Sequence, residues 1–570
     1  MVATATALKR RFVPQSLDLT DFANLQPLYQ GLLDRRVETQ AELEQWLTDF
    51  SELWAVVDEF SSRRYIDKSC HTDDAKIQAA FLHYVQNVEP RIKPYFFRLQ
   101  KKLLESPALS LLDPKRFGVL IRRWKEDVAV FRDESVPLET KIVEEVNEYD
   151  KLCGAMMIEF RGQTYTPQQM VRFFEEPDRP TRQAAWEAHT NRYLADRDAF
   201  DDIFERLLPL RQQIARNAGL ANYRDYAWKI NKRFDYTPDD CRRFSDAIAQ
   251  TCMPLMNRLF ARKAADLGLE KLRPWDLEAD PKNRPPLRPF TQKAPAVLVD
   301  KTREIFQRLS PALASDFDQL SAHRNLDLDS RKGKQPGGYQ CALEESGQPF
   351  IFMNAVGTQR DVEVLLHEGG HAFHYLAAAG REPLVFLRHA PTEFAEVASM
   401  SMELLGGDHL EVFYADGDAR RARDHHLEKI LRFLPWMTTI DSFQHWIYTN
   451  PGHTRAERTA HWLTLMDRFG GQVDFSGHEA PREARWQQQL HLFHHPFYYI
   501  EYGIAQLGAL QLWMKSRHDM RQALANYRAA LALGGTRSLP ELFSAAGINF
   551  DFSEKTLRPL METLAEELEL

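Results

Sequence analysis

The chain runs to 570 residues, enough for a large hydrophobic core and more than one lobe. Hydrophobic residues make up 44% of it and charged residues 27%, as in an ordinary globular protein, and no apolar run is long enough to span a bilayer, which excludes a membrane-spanning helix. The net charge of −8, with both signs interspersed, argues against a general nucleic-acid binder, which would show a basic stripe.

Most of the chain reads as helix. Thr39-Gln-Ala-Glu42 is a capping box opening a helix to about Arg64, and a second long helix is predicted from Asp74 to Glu105. Thr166-Pro-Gln-Gln169 and Thr237-Pro-Asp-Asp240 each place a cap before a proline at the first helical position. Residues 274–295 carry six prolines and predict an ordered extended connection or an exposed linker. Pro349-Phe-Ile-Phe-Met-Asn354 is the one convincing strand in this region. Gly337–Leu343 is its candidate hairpin partner, across a turn at Glu344–Gln348. An exposed edge on the 349–354 strand would let substrate main chain add to it. Arg331, Lys332 and Lys334 read as a solvated loop, made mobile by Gly333, Gly337 and Gly338. Toward the C-terminus Gly534-Gly535 ends a helix, and Ser538-Leu-Pro-Glu541 starts the next. The expected architecture is mainly α, with a small β-sheet.

The stretch after that strand carries the chemistry. His367-Glu-Gly-Gly-His371 lies in a predicted helix running from about Asp361 to a stop at Gly380. His367 and His371 are four apart, so one helical face presents both imidazoles to one point, with Glu368 beside them. Two neutral imidazoles and a carboxylate base are what a hydrolytic zinc site needs. Gly369 and Gly370 each cost a helix about 1 kcal/mol relative to alanine, which close approach of substrate or another backbone would explain. His374 reads as a buried packing histidine. A catalytic zinc also needs a third protein ligand. Pro391–Met400 predicts a second helix, with Glu393 and Glu396 one turn apart and Glu403 two turns beyond Glu396. Glu396 is taken as the ligand and Glu393 is its competitor. Glu403 is placed to accept the second ring N–H of a ligand histidine. The five cysteines are scattered, without CxxC spacing and far from the histidine pair, so they read as reduced thiols and not as ligands there. With no apolar leader in the first dozen residues, the expected compartment is the cytoplasm.

His367–His371 together with Ala395-Glu396-Val-Ala-Ser399 resembles the M3 family of zinc oligopeptidases, in particular its oligoendopeptidase F branch. The segment Asp329–Tyr339 is similar too. The resemblance implies one zinc per chain on His367, His371 and Glu396, with Glu368 as base. It implies two mainly helical lobes around a deep substrate channel, with residues 1–200 as an N-terminal helical region forming part of the wall and 201–570 as the catalytic region. His491–Tyr502 is the second informative cluster; Tyr499 and Tyr502 are three apart, so both hydroxyls reach one side. It resembles the family's His and Tyr-x-x-Tyr segment, with a slightly different spacing. By that resemblance Tyr502 and His491 donate to the oxyanion, and Tyr499 and Tyr498 contact substrate. His494 and His495 read as structural. The implied activity is hydrolysis of internal bonds in short unstructured peptides. The rivals are a metallocarboxypeptidase or dipeptidase on a related helical scaffold, and a non-catalytic zinc- or peptide-binding protein.

Overall fold

The capping residues open helices where their spacing places them. In this computed structural model, which describes residues 7–291, 295–331, 334 and 337–570, Thr39 caps the Gln40–Cys70 helix and Glu42 reaches back to the Thr39 N–H. Thr237 with Asp240 does the same for Pro238–Asp266, and Ser538 with Glu541 for Leu539–Ala545. Thr166 and Gln169 also bond reciprocally, yet the helix they open, Pro167–Met170, passes at once into a tighter 3-10 turn, Val171–Glu175. The stretch predicted as one helix from 74 to 105 is helical but uneven. Ala75–His83 leads into a wide π turn, Tyr84–Val88, and then Glu89–Leu104. The widened turn falls just before Pro90, whose missing N–H interrupts the regular ladder.

The fold is mainly α, with a two-stranded and a three-stranded sheet among the described residues. Two compact units emerge, each assembled from segments far apart in the chain. One takes residues up to Ala129, Arg288–Arg423 and Ala505–Phe550; the other takes Val130–Leu287, Asp424–Ile504 and Asp551–Leu570.

In the first unit, the strand Gln348–Ala355 pairs antiparallel with Tyr339–Leu343, the expected hairpin partner, and parallel with Leu326–Asp329. It is therefore the central strand and not an exposed edge, which corrects the expectation that substrate adds to it. The third strand was not read because Leu326-Asp-Leu-Asp329 is too short to show a pattern. The solvated-loop reading fails at Lys334, whose side chain is fully buried. It donates to Asp327 Oδ1 (2.8 Å) and to the carbonyls of Asp329 and Met353 (both 2.7 Å). Arg331 forks onto the same Asp327 carboxylate at 2.6 and 2.7 Å. Lys332 and Gly333, part of that reading, lie outside the described residues. N-terminal helices supply an aromatic core that receives Phe386: its ring lies 4.7 Å from Phe50 and 5.2 Å from Trp124. This contact holds the connection between the Gln359–Ala379 and Thr392–Gly407 helices.

In the second unit, residues 274–287 of the proline-rich stretch form an ordered connection, while residues 292–294 of that stretch lie outside the described residues. Its Asp276 is fully buried and binds Arg179 (2.9 Å) and Arg182 (3.2 Å). A short hairpin, Ile158–Phe160 with Gln163–Tyr165, was not anticipated from the sequence.

Burial raises the Asp327 carboxyl, but Arg331 and Lys334 outweigh burial and hold it well below the usual carboxylate range. Its stabilisation is therefore complete above the unfolded value of about 4 and drains as pH falls below it. Lys334→Met should lower stability by about 3 kcal/mol at neutral pH. Urea titrations should show that loss shrinking below about pH 4, and an unchanged neutral midpoint would contradict the role given to Lys334.

Candidate active site

The Gln359–Ala379 helix starts from an anchored turn. Asp361 Oδ2 accepts three backbone N–H bonds, from Val356 (3.0 Å), Gly357 (2.8 Å) and Thr358 (2.7 Å). Strand, turn and helix are thus tied together at the point that sets the direction of the histidines. The helix ends at Gly380. Its neighbour is the Thr392–Gly407 helix, and the two approach closely at Gly370. A Cβ there would lie 2.5 Å from the Ala398 carbonyl oxygen and the Ser399 Cα, inside any real contact. Gly369 faces the Phe306 ring, with a Cβ position 2.7 Å from its Cζ. Another backbone and an aromatic ring therefore account for the two glycines.

That approach brings three donor atoms together from two helices. The ligand atoms of His367, His371 and Glu396 all lie within 4.8 Å of one another. Glu396 Oε2 stands 3.3 Å from His367 Nε2 and 3.5 Å from His371 Nε2. Glu393, one turn earlier, is also buried, but the carboxylate lying against both imidazoles is that of Glu396. Ser399 Oγ donates to Glu396 Oε2 at 2.9 Å. Behind the pair, His367 Nδ1 donates to Glu403 Oε1 at 2.6 Å. That bond fixes a proton on Nδ1 and turns Nε2 toward Glu396 and His371.

The electrostatics call for a cation. Burial disfavours a charged His367, yet Glu396 and Glu403 overcome it and hold the imidazole well above its ordinary pKa. Burial likewise opposes ionisation of Glu396, yet His371 and His367 hold it well below the carboxylate range. Glu368 is pushed up by burial, against the pull of both imidazoles. Three largely buried carboxylates thus face two imidazoles. Two imidazole nitrogens and a carboxylate oxygen, with a charge excess to balance, fit a divalent zinc-like ion. His374 stays out of this set. It is buried against Phe394 (6.1 Å), and burial lowers it to about 3, so it is a neutral packing histidine.

The second unit assembles the other predicted cluster. The segment is not one continuous helix: Leu490–His494 ends, Phe497 takes a positive φ of 69°, and Tyr499–His518 begins. Two buried arginines satisfy carbonyls freed by the break. Arg211 donates to Leu492 (3.0 Å) and Phe493, and Arg233 donates to Phe497 and to Glu501 (3.1 Å). The His491 ring gathers the tyrosines, at 5.8 Å from Tyr498, 5.0 Å from Tyr499 and 5.9 Å from Tyr502. Its protonation follows from a relay absent from the sequence reading. The Trp436 indole N–H can only donate, and it donates to Gln489 Oε1 (3.1 Å). The Gln489 amide N–H then donates to His491 Nδ1 (2.8 Å). His491 is thereby a neutral ring with its proton on Nε2. No local spacing could have flagged Arg211, Arg233 or Trp436, which come from remote segments of the chain.

With this geometry in place, comparison with known proteins is direct. Residues 172–562 match peptidase family M3, and residues 12–131 match the peptidase M3 N-terminal domain. The chain belongs to peptidase family M3, and its relatives are those of the oligoendopeptidase F branch. It is 22% identical over 417 residues to the chromosomal oligoendopeptidase F of Lactococcus lactis subsp. cremoris, covering 69% of this chain and 64% of that protein. It is 20% identical over 412 residues to Group B oligopeptidase PepB of Streptococcus agalactiae serotype III (strain NEM316), covering 70% and 65%. The matches thus span just under two thirds of the length of these curated relatives. Among solved structures, PZ peptidase A with an inhibitor has a TM-score of 0.91 at 26% identity, covering 98% of this chain and 99% of that one. Family membership implies a metal cofactor. No helix among the described residues is long and apolar enough to cross a membrane.

Replacing Glu403 by Ala should free the His367 ring and weaken metal affinity about 10- to 100-fold. Competition against a chromophoric chelator measures this, and wild-type affinity in the variant would rule out the orienting role.

Proposed function

We propose that this protein is a zinc-dependent oligoendopeptidase that hydrolyses internal peptide bonds of short unstructured peptides. The observation that carries the reading is the convergence of His367, His371 and Glu396 from two helices, with Glu368 buried beside them. His367, His371 and Glu396 hold the ion, and Glu403 sets the His367 tautomer. Zinc in such a site supplies Lewis acidity toward the scissile carbonyl and the attacking water.

The chain's own side chains do the rest. Glu368 takes the water's proton onto its carboxylate and hands it to the leaving amine nitrogen. Its burial favours the protonated form between those two transfers. Tyr502 and His491 supply O–H and Nε2–H donors to the developing oxyanion. The Trp436–Gln489 relay serves this role by keeping the His491 proton on Nε2. Tyr499 and Tyr498 contact the substrate. No covalent intermediate is required. Five cysteines without a disulfide suit a reducing compartment, the cytoplasm.

Glu368→Gln should retain its metal and lose hydrolysis by roughly a hundred- to ten-thousand-fold. The substrate should be a peptide blocked at both ends, with products identified by mass. Internal cleavage is expected, whereas release of terminal residues only, from unblocked peptides, would favour the exopeptidase reading. Undiminished turnover in the variant would remove Glu368 from its role. Tyr502→Phe should lower kcat by at least about a hundred-fold with KM little changed, because the lost O–H acts on charge that appears only in the transition state. A loss confined to KM would instead make Tyr502 a substrate contact.

A further inference from the structure

The second unit holds another group of metal-binding side chains, remote in sequence from the HEGGH motif and from the His491–Tyr502 segment. Cys241 sits near the start of the Pro238–Asp266 helix, and Asp441 and His445 lie one turn apart on the Asp416–Thr449 helix. A thiol sulfur, a carboxylate oxygen and an imidazole nitrogen there all lie within 4.8 Å of one another. Among the described residues only the His367, His371 and Glu396 set converges in the same way.

The surroundings point to a ligand. Cys241 and Asp441 are each only 2% exposed. Asp441 Oδ1 and His445 Nε2 have no hydrogen-bond partner. Asp441 Oδ2 stands 3.3 Å from His445 Nε2 without the alignment a hydrogen bond needs. A buried carboxylate kept for packing alone would be expected to complete its bonds, because an unmade bond to a charged group is costly. The imidazole is held in place by rings, with Trp228 at 5.4 Å and Phe497 at 5.3 Å. Arg233, a cation of this neighbourhood, donates to the Phe497 carbonyl and to Glu501.

We propose that Cys241, Asp441 and His445 bind a second divalent transition-metal ion of the zinc type, with a structural role. A thiolate, an imidazole and a carboxylate together suit a borderline-soft ion such as zinc and not magnesium or calcium. The Cys241 thiol releases its proton to solvent on binding, and the ion balances the thiolate and the Asp441 carboxylate. The fourth position falls to water. The ion pins the start of the Pro238–Asp266 helix to the Asp416–Thr449 helix beside Phe497. Phe497 directly precedes Tyr498 and donates its N–H to Gln444 Oε1 (2.6 Å), so the clamp steadies the entry to the tyrosine segment. This inference does not depend on the peptidase reading.

Cobalt substitution tests it without an activity assay. The full-length protein would be produced in zinc-depleted, cobalt-supplemented medium, so that ions enter as it folds. Cobalt per chain and the near-ultraviolet spectrum would then be recorded. A cobalt–thiolate bond gives an intense near-ultraviolet charge-transfer band, which the sulfur-free His367, His371 and Glu396 set cannot produce. The expected result is two cobalt ions per chain with that band. Cys241→Ser should lose the band and one ion, and Cys153→Ser should keep both. His445→Gln is the second variant, and circular dichroism checks the fold of each. A single ion per chain without the band, or a band that survives Cys241→Ser, would overturn the proposal.

Discussion

The proposed active site depends on how closely two helices can approach. The histidines come from one helix and Glu396 from the next, so the donor set exists only if the helix backbones nearly touch. Gly370 makes that possible. Any side chain at this position would meet the Ala398 carbonyl and the Ser399 backbone and force the helices apart. Other elements hold the opposite helix as well. Tyr527 donates to the Ala398 carbonyl at 2.9 Å, and Gly508 leaves room for Val397. Two glycines that weaken the helix in isolation are thus what allow its tertiary contact.

Charge is managed differently in the two candidate clusters. Around His367 the carboxylates outnumber the imidazoles, and burial magnifies every interaction between them. That arrangement suits a bound dication. Around His491 the relay runs through neutral donors and acceptors, and the Trp436 indole dictates its direction. The backbone there is irregular, and buried guanidinium groups do the work that a continuous helix would have done for its carbonyls. A segment built this way has a defined shape without regular secondary structure.

The limits of the sequence reading follow from the range of the interactions concerned. Capping boxes were legible because each closes within three residues, and Thr39, Thr237 and Ser538 all open helices. The spacing of His367 and His371 was legible for the same reason. The 349–354 strand was recognised, but its place in the sheet was not, because its parallel neighbour is paired from outside the hairpin. Lys334 looked solvated because lysine usually is; its partners, Asp327 and the Met353 carbonyl, appear only when the strands are assembled. At the break after His494 the local sign is Pro496, while the arginines that satisfy its carbonyls come from remote segments.

The sequence by itself determined the mainly helical class, the helix starts, the paired imidazoles and the resemblance to the M3 peptidases, since all of these are carried by residue types at short, regular spacing. Tertiary structure alone decided which carboxylate faces the imidazoles, which ring nitrogens of His367 and His491 carry protons, and how distant segments combine into each compact unit. The physical reason is that a hydrogen bond or a shared charge depends on distance in space, and a chain folded from interleaved segments does not preserve that distance along its length.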